Sequence, residues 1–362
     1  MGTKKGLFVA EAARGRRRFR LRGPSGAGVP VYSALVDARG RPRIYAGSCN
    51  PFFGMKVLRS TDLGKTFEET RSAPAFPKGD GRALANIWAL EAGAGKGELW
   101  AGVEPASLFR SQDGGDSWAM VEGISNHPHA RKWQPGNGGL CLHTIVRTGE
   151  RMHLGISTGG HYLSEDGGRA FSAANAGVGA GFAPDPFPEF GQCVHKIARH
   201  DGAPGRLYMQ NHGGWAEWDG PGGPRPNIGV LRSDDHGRSW RSIAEGLPSD
   251  FGFPIVVHPH DPDTVYVVPL VPETRTCPGH APAVWRSTDG GSSWRRLSKG
   301  FPRREAFFTV LRDAMAADDL GSPALYLGTT TGQLWIGRDG GEEWECLFDS
   351  LPPINCVKVA VA

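Results

Sequence analysis

The 362-residue sequence predicts an all-β, seven-bladed β-propeller that occupies residues 1–362 as one domain, its ring closed by N- and C-terminal strands sharing one blade. Three observations predict it. An octapeptide returns six times at a spacing of about 50 residues, the same strand grammar surrounds each copy, and the two chain ends supply the strands that the repeats lack.

The octapeptide reads Ser-x-Asp-x-Gly-x-Ser/Thr-Trp/Phe. Its copies run from Ser60 to Phe67, Ser111 to Trp118, Ser164 to Phe171, Ser233 to Trp240, Ser287 to Trp294 and, more degenerate, Gly337 to Trp344. Their first positions lie 51, 53, 69, 54 and 50 residues apart, the length of a four-stranded blade. The pattern has the chemistry of a hairpin turn: the Asp carboxylate accepts turn amides, the Gly takes a backbone angle that other residues resist, and the aromatic packs between blades. Asp62, Asp113, Asp166, Asp235, Asp289 and Asp339 are therefore read as structural, because a carboxylate saturated by its own turn has no lone pair left for chemistry.

With six copies in register, the chain resembles the Asp-box (BNR) propellers, a group that includes sialidases, sortilin-type receptors, xyloglucan hydrolases and photosystem assembly factors. It is similar in particular to bacterial proteins labelled sialidase-like or glycosyl-hydrolase-like, a label that describes a fold and leaves the activity open. The resemblance implies that the octapeptide turns lie on one face of the disc. Any site then lies on the other, formed by the starts of the innermost strands and by the loops between second and third strands.

Around each octapeptide the order of strands repeats. An apolar first strand (a) leads to a second (b), such as RIYAGS, ELWAGV, RLYMQN, TVYVVP or ALYLGT; a third (c), such as VLRS, LFRS or VWRS, enters the octapeptide and a fourth (d) leaves it. After Trp344 one strand remains, from Asn355 to Val361. At the other end, Gly6 to Ala10 reads as a third strand and Arg18 to Arg22 as a fourth, and joining the ends removes an exposed sheet edge.

Composition narrows the function. The net charge of +4 arises from 41 basic and 37 acidic residues, which does not match the footprint of a nucleic-acid binder. The basic run Arg14, Arg16, Arg17, Arg18, Arg20 and Arg22 is read as a solvated face. Six dispersed cysteines read as free thiols, and the sequence holds neither an apolar leader at its start nor a run of about 18 apolar residues. A cytoplasmic protein without membrane attachment is the expectation. No glycine-rich phosphate loop and no GxSxG elbow is present.

Aligning the blades places Tyr32, Trp88, His143, His195, Phe253, Arg312 and Asn355 at the starts of the innermost strands, and Cys49, Glu104, Ser157, His212, Leu270 and Thr330 at the ends of the second strands. His143, His195 and His212 then converge near the axis and, with Glu104 one blade away, offer the donors of an open three-histidine centre for Zn, Mn, Ni or Fe. Such a metal polarises a carbonyl or lowers the pKa of a bound water. A metal-free polar pocket and a purely structural channel are the competing readings of the same residues.

Loops on this face add His161, the insert from Gly213 to Asn227 with Trp215, Glu217, Trp218 and Asp219, and the segment Glu273 to His280 with Arg275. Trp88, His161, Trp215, Arg275 and Asp313 are expected to bind ligand, with Glu104 and Arg312 as catalytic candidates. Arg312 beside Asp313 is either an internal ion pair or an anchor for a substrate carboxylate. Sialidase chemistry is not expected: the nearest string to the Arg-Ile-Pro motif is Arg43-Ile44-Tyr45, and no channel tyrosine aligns beside a glutamate. A glycosidase pairing Glu104 with Glu217, Asp219 or Glu273 stays open. The reading is a propeller that binds a small polar or carbohydrate-like ligand, with metal-dependent hydrolysis or elimination as its catalytic form. The alternative is a scaffold that docks a protein partner.

Overall fold

Strands such as Val31–Asp37, Leu99–Glu104 and Leu207–Asn211 are almost wholly buried, as they must be when both faces of a small sheet pack against neighbouring sheets. The computed structural model describes residues 1–50, 52–213 and 228–361. Among these residues it forms seven four-stranded antiparallel sheets. The a strands are Val31–Asp37, Asn86–Ala92, Leu142–Thr148, Val194–Arg199, Gly252–His258 and Met315–Ala317 in blades one to six. In the seventh blade Ile354–Cys356 is strand a, and Gly2–Thr3, Gly6–Ala12 and Phe19–Ser25 are strands b, c and d. Gly2 pairs with Cys356, so the two ends of the chain share one sheet. Among the described residues no helix is long and apolar enough to cross a membrane.

A bulge recurs at the start of the a strands. The a–b register skips Tyr32, Trp88, His143, His195 and Asn355, each left without a partner on strand b, and blade five skips the pair at Phe253. A bulge re-aims the side chain it carries. Several of these residues, or their neighbours, reach the next blade: Asn355 Nδ2 donates to Val31 O at 3.0 Å, Ser33 Oγ to Ile87 O at 2.9 Å and His143 Nε2 to Val194 O at 2.8 Å. His195 Nδ1 donates to Gly252 O at 2.6 Å. The ring is thus stitched strand to strand around the axis.

In five of the seven blades strand b buries one large aromatic ring at the same place. Tyr45, Trp100, Tyr208, Tyr266 and Tyr326 hold equivalent places in RIYAGS, ELWAGV, RLYMQN, TVYVVP and ALYLGT, and all are buried. In blade three that place belongs to His153, whose Nδ1 lies 3.1 Å from His161 Nε2, while His161 Nδ1 donates to Ala174 O at 3.0 Å. Burial pushes His153 down to about 2 and His161 down to about 4, so both rings are neutral.

The octapeptide turns are saturated as the pattern requires. Asp113 accepts Ser111 Oγ at 2.9 Å, Ser117 N at 2.9 Å and Ser117 Oγ at 2.6 Å, and these bonds hold its carboxyl down to about 2. Asp62, Asp235 and Asp289 keep the same contacts, and Asp166 keeps those that Ala170 in the seventh position allows. Where the sixth copy has Gly337 in place of the serine, Ser322 donates to Asp339 Oδ1 at 2.8 Å from the a–b connection. In the basic run, Arg16 is an exception to the solvated reading: it binds the buried Asp318 of blade six at 2.8 Å.

Candidate functional site

The mouth of the channel is built by the bulged a-strand residues and by the ends of the b strands. Trp88 donates its indole N–H to Glu104 Oε2 at 2.8 Å, tying the start of strand a to the end of strand b in blade two. Tyr32 packs on Trp88 with ring centroids 4.8 Å apart, and Lys4 Nζ donates to the Tyr32 hydroxyl at 2.6 Å. The Arg312 guanidinium lies over the Trp88 ring, 5.5 Å from its centroid, with one N–H directed at Cys141 Sγ at 3.7 Å. Trp88, Glu104 and Arg312, expected to share a site, are therefore neighbours.

Asp313 departs from the expected pairing. It does not pair with Arg312 but receives Lys196 Nζ and, at 3.4 Å, Lys358 Nζ, deeper along the axis. Burial opposes its ionisation, yet the two ammoniums outweigh burial and hold the carboxyl well below the usual range. The physical reason is position: Asp313 bridges to Cys356 beside the seventh blade, while Arg312 precedes the strand and stays in the mouth. A void of only ≈20 Å³ is lined by Trp88 and His143 together with Glu91, Lys196, Asp313 and Lys358. Beyond it a cavity of ≈570 Å³ opens on the octapeptide side, lined by Arg147, Lys196 and Arg199 among others. Among the described residues Arg312 forms no ion pair, and its guanidinium is left facing the mouth.

The histidines divide. His195, His212 and Cys193 offer ligand atoms that all lie within 4.8 Å of one another. His143 does not belong to this group, because its Nε2 is committed to Val194 O and its Nδ1 lies 3.0 Å from Thr144 Oγ1. A carbonyl only accepts, so His195, which donates Nδ1–H to Gly252 O, presents the lone pair of Nε2. Burial, then His212 and Arg312, hold His195 well below its ordinary pKa, and burial followed by Arg275 lowers His212. Cys193 was not among the expected ligands. Its signal is the Cys-x-His spacing into a bulged strand, with Cys193 O accepting the His212 N–H at 3.0 Å across the a–b pair.

Two other expected contacts are placed elsewhere. His161 is not on the rim but fully buried in blade three, drawn inward by His153 and Ala174 O. Arg275 is exposed in the b–c loop of blade five, where its carbonyl accepts Thr309 Oγ1 at 2.7 Å. Trp215, Glu217, Trp218, Asp219 and Asn227 lie outside the described residues. Exposed phenylalanines lie in loops on this face: Phe52 and Phe53 in the b–c loop of blade one, Phe182 and Phe187 between blades three and four, in a loop expected to cover the mouth, and Phe307 between blades five and six.

No family model matches the chain. It is 25% identical to a xyloglucanase of a Paenibacillus species over 76% of its own length, and spans about a quarter (26%) of that relative. The GH74 xyloglucanase of Xanthomonas campestris superposes with a TM-score of 0.59 at 23% identity, over 87% of this chain and 46% of that one. A structure of YCF48 bound to D1 peptide superposes with a TM-score of 0.54 at 15% identity, over 88% of this chain and 82% of that one. These likenesses agree with a seven-bladed propeller of the glycosyl-hydrolase-like kind.

Proposed function

We propose that the mouth binds a small, polar, carbohydrate-like ligand carrying an acidic group. The sugar ring lies on Trp88 and Tyr32, and its carboxylate meets Arg312. The observation that carries this reading is the Arg312 guanidinium held over Trp88 with no ion pair among the described residues, because a half-buried cation of that kind is an anchor for an anion. Glu104 orients the indole and is the acid–base candidate. The xyloglucanase relative supports hydrolysis as the reaction at this site, and histidine-held metal is its assisting group. The free cysteines are in keeping with a reducing, cytoplasmic setting.

A thermal-shift screen of mono- and oligomeric uronic acids against neutral oligosaccharides tests the reading. At least one acidic sugar is expected to raise the wild-type Tm and to lose that effect in Arg312→Met. The reading fails if no acidic sugar stabilises the protein, or if the variant responds as the wild type does.

A second reading rests on the exposed phenylalanines. Phe52, 89% exposed, and Phe53, 80% exposed, lie on the same face as the mouth and suit a docked peptide better than a free sugar. The structural neighbour bound to a peptide supports this alternative.

A further inference from the structure

We propose that Cys193, His195 and His212 form a site for one soft divalent cation of the Zn²⁺ class, with a fourth coordination position open to the mouth. The proposal deepens the ligand-binding reading above by naming the protein ligands and the kind of metal.

Four features carry it. The three donor atoms already lie within 4.8 Å of one another. Their residues come from the paired ends of two strands, because Cys193 O accepts the His212 N–H at 3.0 Å while the bulge turns His195 toward the same place. The His195 Nδ1–H bond to Gly252 O at 2.6 Å is the outer-shell contact that metal-bound imidazoles carry, and it leaves Nε2 to ligate. Finally, the His195 and His212 rings are 5.3 Å apart and nearly perpendicular, boxed by Phe251 and Phe253, which fixes their orientation without adding competing donors.

Tetrahedral coordination at about 2.0–2.3 Å needs donors about 3.5 Å apart, so the three side chains must close by about 1 Å. His212 and Cys193 are half-buried at strand ends, where such rotation is easy, whereas His195 is locked. One thiolate and two neutral imidazoles favour Zn²⁺ over Mg²⁺ or Ca²⁺, which seek oxygen. On binding, the Cys193 S–H bond breaks, its electron pair goes to the metal and its proton to solvent. The site then carries one net positive charge beside Arg275 and Arg312, so its open position prefers an anion: hydroxide, or the acidic group of the ligand.

Titration of the purified full chain with Co²⁺ tests the proposal, since cobalt reports thiolate ligation by a sulfur-to-metal charge-transfer band and tetrahedral geometry by intense visible bands. The expected result is one Co²⁺ per chain, displaced by Zn²⁺. The charge-transfer band should be lost in Cys193→Ser, affinity should fall at least tenfold in His212→Ala, and both should persist in Cys346→Ser. Circular dichroism of each variant establishes that it is folded. The site is refuted if the wild type gives no charge-transfer band, or if folded Cys193→Ser retains it. Sugar binding that depends on Arg312 is read separately, so either conclusion can fail alone.

Discussion

Trp88 and Glu104 are joined by a 2.8 Å hydrogen bond from indole nitrogen to carboxylate, and this bond holds the aromatic floor of the mouth flat beneath Arg312. Glu104→Gln keeps an oxygen for the indole while removing the charge. Its affinity for an acidic sugar is expected to stay within about threefold of wild type. Glu104→Ala frees the indole and is expected to weaken binding about tenfold, the equivalent of one hydrogen bond of about 1.4 kcal/mol. Isothermal titration of both variants separates a positioning role from direct attraction, which a carboxylate cannot offer an anion.

The ion cluster around Asp313 should be sensitive to neutralisation. Asp313→Asn leaves the half-buried Lys196 and Lys358 without their common carboxylate, and a loss of about 1–3 kcal/mol in unfolding free energy is expected at pH 7. A carboxyl depressed on folding contributes stability above its unfolded pKa of about 3.9 and loses it as pH falls toward the folded value. Urea unfolding of both proteins should therefore show a smaller gap between wild type and variant at pH 3 than at pH 7.

The neutral pair His153 and His161 gives an opposite group with the same acid sensitivity. Their folded pKa values, about 2 and about 4, lie below the unfolded value of about 6.5, so the unfolded chain binds more protons once the pH drops under that value. Stability is complete above about 6.5 and falls by about 1.4 kcal/mol per pH unit for each ring below it. His153→Phe restores the aromatic that five other blades carry and should flatten the decline between pH 6.5 and 5. Denaturant midpoints across that range measure the slope.

Much of the architecture was legible in the chain, and the reason is repetition. The octapeptides placed the turns and the recurring motifs placed the second strands, since each blade solves the same packing problem. Most a-strand starts were also aligned correctly: Tyr32, Trp88, His143 and His195 do occupy equivalent positions, whereas in blade six the a–b register puts Asp313 rather than Arg312 at that place. What the alignment did not contain was the bulge at those positions. It decides whether a side chain enters the mouth, as Trp88 does, or reaches the next blade, as His143 does. His161 was misplaced for a related reason, because its partner His153 fills a tyrosine position and draws the ring inward. Cys193 was overlooked because its proximity to the His195 and His212 donors depends on the same bulge in its neighbour.

A crystal soaked with a short oligogalacturonide tests the central claim most directly. The account predicts sugar density on the Trp88 and Tyr32 rings with a carboxylate within hydrogen-bonding distance of Arg312. Density confined to the cavity on the octapeptide side, or a mouth left empty at saturating ligand, would contradict it.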